Sequence, residues 1–423
     1  MSPKLRVVVA TPMHWSTTKG GAEFQAHQIA TRFVETGRAE VFYLAKGFFR
    51  PGAEYPYHCV PVGSRLPIRA ARGTLLDSLR LWSALRRIKP DIVYQRVGCA
   101  YTGICGIYAR RYGCRFIWHI AHDYDITPKE FAGTGNHLYL AAHKWLLERG
   151  IADATHIVAQ TSKQASLLKQ HYARSDATVI RNAHPLPDIP LIIANRRKIV
   201  WIGNFKPIKR PEIYIRLARA LSDLPNIEFV MAGAASWNGD WQSKLDADID
   251  QISNLSYVGA LSQEEVNALL ESAILLVSTS RAEGFPNTFI QAWMRGVPVI
   301  SLGTDPDNLI RDRHLGIIVN DEAQLESSVR RVVGDPVLRS RLGSNAQTYA
   351  KGAHGPQNFE TLLSLLMDAG DNEDKINPAQ DSEIEDRAHQ GGFMNKRADP
   401  KDKRPIIDVN GKPRVYRSDN TSN

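Results

Sequence analysis

No run of apolar residues in this 423-residue sequence approaches the roughly 20 that a bilayer-crossing helix needs; stretches such as AILLV at 273–277 are strand-sized. Cysteine is scarce too. Cys59, Cys99, Cys105 and Cys114 are too few and too irregularly spaced to staple so long a chain, and they lack paired metal-ligand spacing. Buried thiols are the expectation for them. The opening MSPKLRVVVA passes from a short basic stretch straight into a strand-like run, without the apolar segment and cleavage site of an export signal. A reducing, cytoplasmic setting follows, in which the NTS sequon at 420–422 has no meaning. Motifs for nucleic-acid recognition are missing as well, so nucleic acid is not the expected partner.

What is present is the balance of an ordinary folded protein, 43% hydrophobic against 23% charged, which excludes disorder throughout and leaves room for two domains. The net charge of +9 is unevenly placed. Residues 1–185 hold 25 Lys+Arg against 12 Asp+Glu, residues 186–369 hold 18 against 21, and residues 370–423 hold 10 against 11. The first half is therefore expected to face something anionic, a lipid surface, a phosphorylated acceptor or, least favoured for want of a motif, nucleic acid.

Short β-branched and aromatic runs recur at 6–10, 41–45, 58–62, 91–96, 115–121, 155–160 and 177–182, separated by helix-length segments. After a proline-rich break at 184–190 they restart at 198–203 and continue at 227–233, 255–259, 273–279, 297–301 and 316–319. That alternation predicts βαβ units and two parallel sheets. The expected fold is α/β, with two Rossmann-like doubly wound domains at 1–185 and 196–355. A C-terminal helix at 356–369 packs back toward the first domain, and a flexible polar tail occupies 370–423. Ser262 with Glu265 makes a capping box, Asp335-Pro336 a helix start, and Gly296 a helix stop.

Ligands of open parallel sheets bind beyond the carboxyl ends of strands, and four clusters fall there. Gly20 and Gly21 precede a helix and allow backbone N–H groups close to a phosphate; a simple turn would use the same pair. His119 and His122, followed by Asp123 and Asp125, end another strand. The paired acids match a divalent-ion spacing, but the same spacing occurs at 246–248, 248–250 and 305–307, and solvated loop acids are the expectation for all four. Lys206, Lys209 and Arg210 place three cations in five residues before the helix-starting Pro211, a group suited to a diphosphate. The fourth cluster, RAEGFPNTFIQAWMRGVPVI at 281–300, joins a strand end, a glycine and the start of a helix near Pro286.

This last segment resembles the nucleotide-sugar binding segment of the retaining GT-B glycosyltransferases of family 4, the glycosyltransferases group 1, and the resemblance extends over roughly the first 350 residues. It implies two domains facing across a cleft, with roles that fall on particular residues here. Gly20 and Gly21 would close over the donor phosphates, and His122 would hydrogen-bond the donor sugar. Lys209 would contact the diphosphate, and Glu283 is the first of the family's two spaced glutamates. The amides of the run from Gly284 through Phe285 and Pro286 to Asn287 correspond to the cradle for sugar and phosphate. Two positions depart from the pattern. The arginine expected five residues before the lysine is Asn204, leaving Lys206 or Arg210 to replace its charge; the second glutamate, which holds the ribose, is Gln291, an acceptor without charge.

The resemblance implies a glycosyltransferase, hexosyl-transferring and retaining, that uses no metal or other cofactor. It would move a sugar from a nucleotide-sugar donor to a saccharide or lipid-linked acceptor in surface polysaccharide or glycolipid synthesis. Two other classes stay open on the same frame: a nucleotide-sugar epimerase or a phosphorylase, and a nucleotide-sugar-binding subunit weakened by Asn204 and Gln291. Arg65, Arg69, Arg72, Arg80, Arg86, Arg87 and Lys89 surround Leu75, Leu76, Leu79, Leu81, Trp82 and Leu85. That composition fits a basic helix lying on the anionic inner face of a membrane, and equally a Rossmann helix with its leucines in the core.

Overall fold

Each β-branched run is followed by enough chain to cross over as a helix, so neighbouring strands pair in parallel. The computed structural model describes residues 4–17, 20–46, 54–63, 75–127, 137–187, 196–235 and 238–367. In the first half the strands are β1 (Leu5–Met13), β2 (Ala39–Lys46), β3 (His58–Pro61), β4 (Ile92–Arg96), β5 (Arg115–His119), β6 (His156–Ala159) and β7 (Thr178–Val179). They form one sheet in the order β3-β2-β1-β4-β5-β6-β7. The second half supplies β8 (Lys198–Ile202), β9 (Glu228–Ala232), β10 (Leu255–Tyr257), β11 (Ala273–Ser278), β12 (Val299–Leu302) and β13 (Gly316–Val319), ordered β10-β9-β8-β11-β12-β13. Every run expected from the sequence overlaps one of these strands.

Both sheets are covered on both faces, which is why their strands read as continuous apolar runs. Along β1, Val7 and Val9 join the core under the helix Gly21–Glu35, whereas Val8 and Ala10 join the core under the helices Leu75–Ile88 and Ala100–Tyr112. In the second sheet Ile199 and Trp201 pack with the helices Pro211–Ala220 and Glu322–Gly334, and Val200 with the helix Asn287–Met294.

Local signals set the helix ends. Ser262 and Glu265 form the reciprocal capping box, Asp335 accepts from Leu338 N at 2.8 Å ahead of Pro336, and Gly296 takes φ +63° after the helix Asn287–Met294. The last helix, Gln357–Met367, returns to the first sheet's core through Phe359, Leu362, Leu363 and Leu366. Arg115 clamps its final turn by donating to Leu365 O and Leu366 O at 3.0 and 2.7 Å. The tail expected from residue 370, with its sequon, lies outside the described residues.

Candidate active site

Strand order reverses once in each sheet, between β1 and β4 and between β8 and β11, and helices diverge there to open a crevice. The crevices meet in a cleft of about 530 Å³. Gly20, Gly21, His122, Asn204, Lys206, Lys209, residues 283–287 and Gln291 all line it. Arg210 alone of the residues expected there does not.

Arg210 departs because it adopts φ +50° at the end of the turn Pro207–Lys209, which sends its guanidinium beneath the loop. There Nε donates to Thr279 O at 2.6 Å and Nη2 to Leu302 O at 3.1 Å, tying the loop to the ends of β11 and β12. The Thr279 hydroxyl lies 2.6 Å from Lys209 O and accepts from Trp201 Nε1 at 2.9 Å. So anchored, Lys209 directs its ammonium onto Glu283, forming an ion pair. Asn204 cannot supply the missing charge; its Oδ1 accepts from Ala234 N at 3.1 Å and joins the loops after β8 and β9. Lys206 stands at the start of the turn, on the cleft wall.

No side chain caps the helix Asn287–Met294, so its first N–H groups are available at the cleft. Phe285 is buried against Trp293 and His354, holding the preceding loop in place. Gln291 is buried and donates from Nε2 to Gln263 Oε1 and Asn267 Oδ1, both at 3.0 Å, leaving Oε1 as its group for a hydroxyl. Asn287 turns its side chain to the other lobe, where Oδ1 meets Gln25, Asn182 and His184. Gly21 packs on the Asn287 amide so closely that a Cβ would lie 2.0 Å from Nδ2. The glycine pair is therefore an interlobe contact as well as a helix start.

His122 accepts from Tyr124 N at 3.1 Å through Nδ1 and stacks on the Tyr124 ring. That bond puts the neutral ring's proton on Nε2, which is left as a donor on the cleft wall. The acids beside it are not the solvated loop pair expected. Asp125 is buried and accepts from Ala121 N and His122 N at 2.9 and 3.0 Å; burial raises its pKa against these bonds. Asp123 pairs with Lys163 at 2.7 Å. Asp307 accepts backbone bonds from Ser162 and Lys163, and Asp305 from Ile310 and Arg311. Among the described residues, no three His, Cys, Asp or Glu side chains converge to hold a metal.

Sequence reasoning did not single out Arg96, which ends β4 and lines the cleft, nor Asn182 and His184, which hold Asn287. A polar pair, Gln95-Arg96, closing an otherwise apolar run was the available signal for Arg96.

Of the basic segment, Arg65, Arg69 and Arg72 lie outside the described residues. The helix Leu75–Ile88 buries Leu81, Leu85 and Ile88 but leaves Leu76 and Leu79 exposed, Leu79 by 81%, on the face that carries Arg80, Arg86 and Arg87. No helix among the described residues is long and apolar enough to cross a membrane. Cys99, Cys105 and Cys114 are buried thiols outside any disulfide among the described residues, and Cys59 is half-buried.

Two family models match in tandem, Glycosyltransferase Family 4 over residues 19–186 and Glycosyl transferases group 1 over residues 186–349. Among curated proteins, a D-inositol 3-phosphate glycosyltransferase of Salinispora tropica is 23% identical over 254 residues, 52% of this chain and 52% of that protein. A Campylobacter jejuni α-1,4-N-acetyl-D-galactosaminyltransferase, named for an undecaprenol-linked substrate, is 24% identical over 255 residues, 57% of this chain and 68% of that protein. The match to the Salinispora protein thus spans about half of its length. Among solved structures, Anabaena HepE in complex with UDP and glucose superimposes with TM-score 0.67 at 17% identity, over 86% of this chain and all of that one. WaaG, a glycosyltransferase of lipopolysaccharide biosynthesis, gives 0.67 at 17% over 85% and 99%. At such identities the structural likeness shows the GT-B fold.

Proposed function

Because the chain belongs to the GT-B glycosyltransferases, with a Family 4 first half and a group 1 second half, we propose that it transfers a sugar from a nucleotide-diphosphate sugar with retention and without a metal. The acceptor in this reading is a saccharide or lipid-linked saccharide. The observation that carries it is the Lys209–Glu283 pair at the ends of β8 and β11, beside an uncapped helix start. As the bond from the anomeric carbon to the diphosphate breaks, its electron pair passes to the phosphate oxygen. The Lys209 ammonium and the first N–H groups of the helix Asn287–Met294 stabilise that charge. The acceptor oxygen bonds to the anomeric carbon on the face the diphosphate leaves, and its proton goes to the departing phosphate oxygen. Glu283 orients Lys209. His122 donates from Nε2 to a sugar hydroxyl, and Gln291 Oε1 accepts from the ribose.

The acceptor side lies with the basic first half. Relatives named for an inositol phosphate and for an undecaprenol-linked glycan are compatible with an anionic or lipid-linked acceptor. The exposed Leu76 and Leu79, flanked by arginines, favour peripheral attachment to the anionic inner face of a membrane. Sedimentation with anionic vesicles at low salt, but not with neutral ones, is the expected behaviour; equal recovery from both removes the membrane part.

Asn204 and Gln291, both engaged by protein partners, favour one rival, a subunit that binds the nucleotide without transfer. A thermal-shift panel of UDP-, GDP- and ADP-sugars identifies the donor, and product analysis with that donor separates transfer from binding alone. Lys209→Ala should then lower turnover by about a hundredfold or more, the usual effect of removing one donor to a developing oxyanion. Wild-type turnover in that variant would remove the leaving-group role.

A further inference from the structure

Arg96 closes β4 where the first sheet reverses its order, on the cleft wall, and is only 1% exposed. Its Nη1 lies 3.3 Å from the Tyr94 hydroxyl and 3.1 Å from His119 Nδ1, and its Nη2 donates to Asn182 Oδ1 at 2.6 Å. Nε has no partner. All these acceptors are neutral, and among the described residues no carboxylate pairs with Arg96. His119 stays uncharged beside it, because burial first and the Arg96 charge second push its pKa well below 6.5.

Burying a guanidinium without a counter-charge is costly, and the cost is recovered when an anion arrives. Five N–H groups and three neutral contacts leave this fork with donors to give. The cations assigned to the nucleotide, Lys206 and Lys209, stand on the second lobe, so Arg96 meets a ligand from the opposite wall. Its orientation also depends on that lobe, since Asn182 Nδ2 donates onward to Asn287 Oδ1 at 3.2 Å.

We propose that Arg96 is the first lobe's binding residue for an anionic oxygen of substrate, a phosphate or a carboxylate. This rests on the transferase reading above. The oxygen belongs either to the donor's diphosphate or to an anionic group on the acceptor, and calorimetry on the full chain at low salt distinguishes them with inorganic pyrophosphate and orthophosphate. If it is the donor's, Arg96→Gln binds pyrophosphate about tenfold or more weakly than wild type. If it is the acceptor's, pyrophosphate affinity is unchanged, and orthophosphate binding to the pyrophosphate-saturated protein is lost in Arg96→Gln.

Asn182→Asp puts a carboxylate against Nη2 without removing the arginine, and should reproduce the loss; it carries the test if Arg96→Gln does not fold. Wild-type affinity for both anions in the folded variants would overturn the proposal. Lys209→Ala measured alongside keeps the two readings apart. Unchanged pyrophosphate binding in Lys209→Ala counts against the leaving-group site, whatever Arg96 does.

Discussion

His184 Nε2 lies 3.0 Å from Asn287 Oδ1, joining the segment that leaves the first sheet to the start of a helix in the second lobe. Asn182 and Gln25 donate to the same oxygen at 3.2 and 3.3 Å. The oxygen accepts, so His184 must carry its proton on Nε2. Behind it, His184 N donates to His354 O at 2.9 Å, and His354 Nδ1 lies 2.7 Å from Asn182 O.

Both histidines are buried, and burial is the main reason that the pKa of His184 falls to about 4 and that of His354 to about 3. In the unfolded chain each takes up its proton near 6.5. Between 6.5 and about 4 the unfolded state therefore binds more protons than the folded one, so this contribution is complete above 6.5 and is lost as the pH falls through that window. The urea midpoint should drop from pH 7 to pH 5. His184→Gln, which keeps an N–H for Asn287 but does not titrate, should flatten part of the drop; identical profiles for the two proteins would refute the assignment.

At Gly284 the backbones of the two lobes approach each other closely beside the site. A Cβ added there would lie 2.8 Å from Ala121 O and 3.1 Å from His122 Cα, and backbone cannot swing aside as a side chain can. Gly284→Ala must push the strand end carrying His122 away from the loop carrying Glu283. We expect kcat/KM to fall by about a hundredfold, the scale associated with misplacing reacting groups by an ångström. Because backbone must give way, the melting temperature should fall too, so kcat/KM is compared at a temperature where both proteins are fully folded. Unimpaired kcat/KM would mean that the separation of His122 and Glu283 is not critical.

The strands were legible because burial on both faces makes each a compact apolar run, and the cleft was legible because glycines and cations cluster at strand ends. Lys209 and Glu283 were readable for that reason, 74 residues apart but each in its own local pattern. Arg210 shares the cation cluster yet turns away, since its left-handed backbone is a property of the folded loop. Asn182, His184 and Asp307 act across 103 to 145 residues of sequence, and nothing local marks their partners. Arg96 was the hardest to see, because its meaning lies in the acid that is not beside it.

Gln291 stands where a glutamate is expected, and its two amide hydrogens go to Gln263 and Asn267. Gln291→Glu would present a charged acceptor to the ribose, and both neighbouring amides can rotate to donate to it. Affinity for the preferred nucleoside diphosphate should rise by up to about tenfold, as expected for a charge-assisted bond. A 2′,3′-dideoxy analogue should show no gain. An equal rise for both ligands would place the carboxylate away from the ribose.

Asp307 caps a helix of the other lobe. Its Oδ2 and Oδ1 accept from Ser162 N and Lys163 N at 3.0 and 3.1 Å, while Thr161 Oγ1 takes Gln164 N at 3.0 Å, so the first three N–H groups of the helix Ser162–Tyr172 are all satisfied. A carboxylate there also meets the positive end of the helix dipole. Asp307 holds φ +51°, a conformation that asparagine tolerates and alanine resists. Asp307→Ala should cost about 1 kcal/mol, as losing a cap usually does. Hydrogen exchange at Ser162 and Lys163 should then speed up several-fold. Asp307→Asn, with the right backbone but one acceptor oxygen in place of two, should fall between. Equal exchange at those two amides in all three proteins would mean that solvent caps this helix and that the lobes do not depend on Asp307 to stay together.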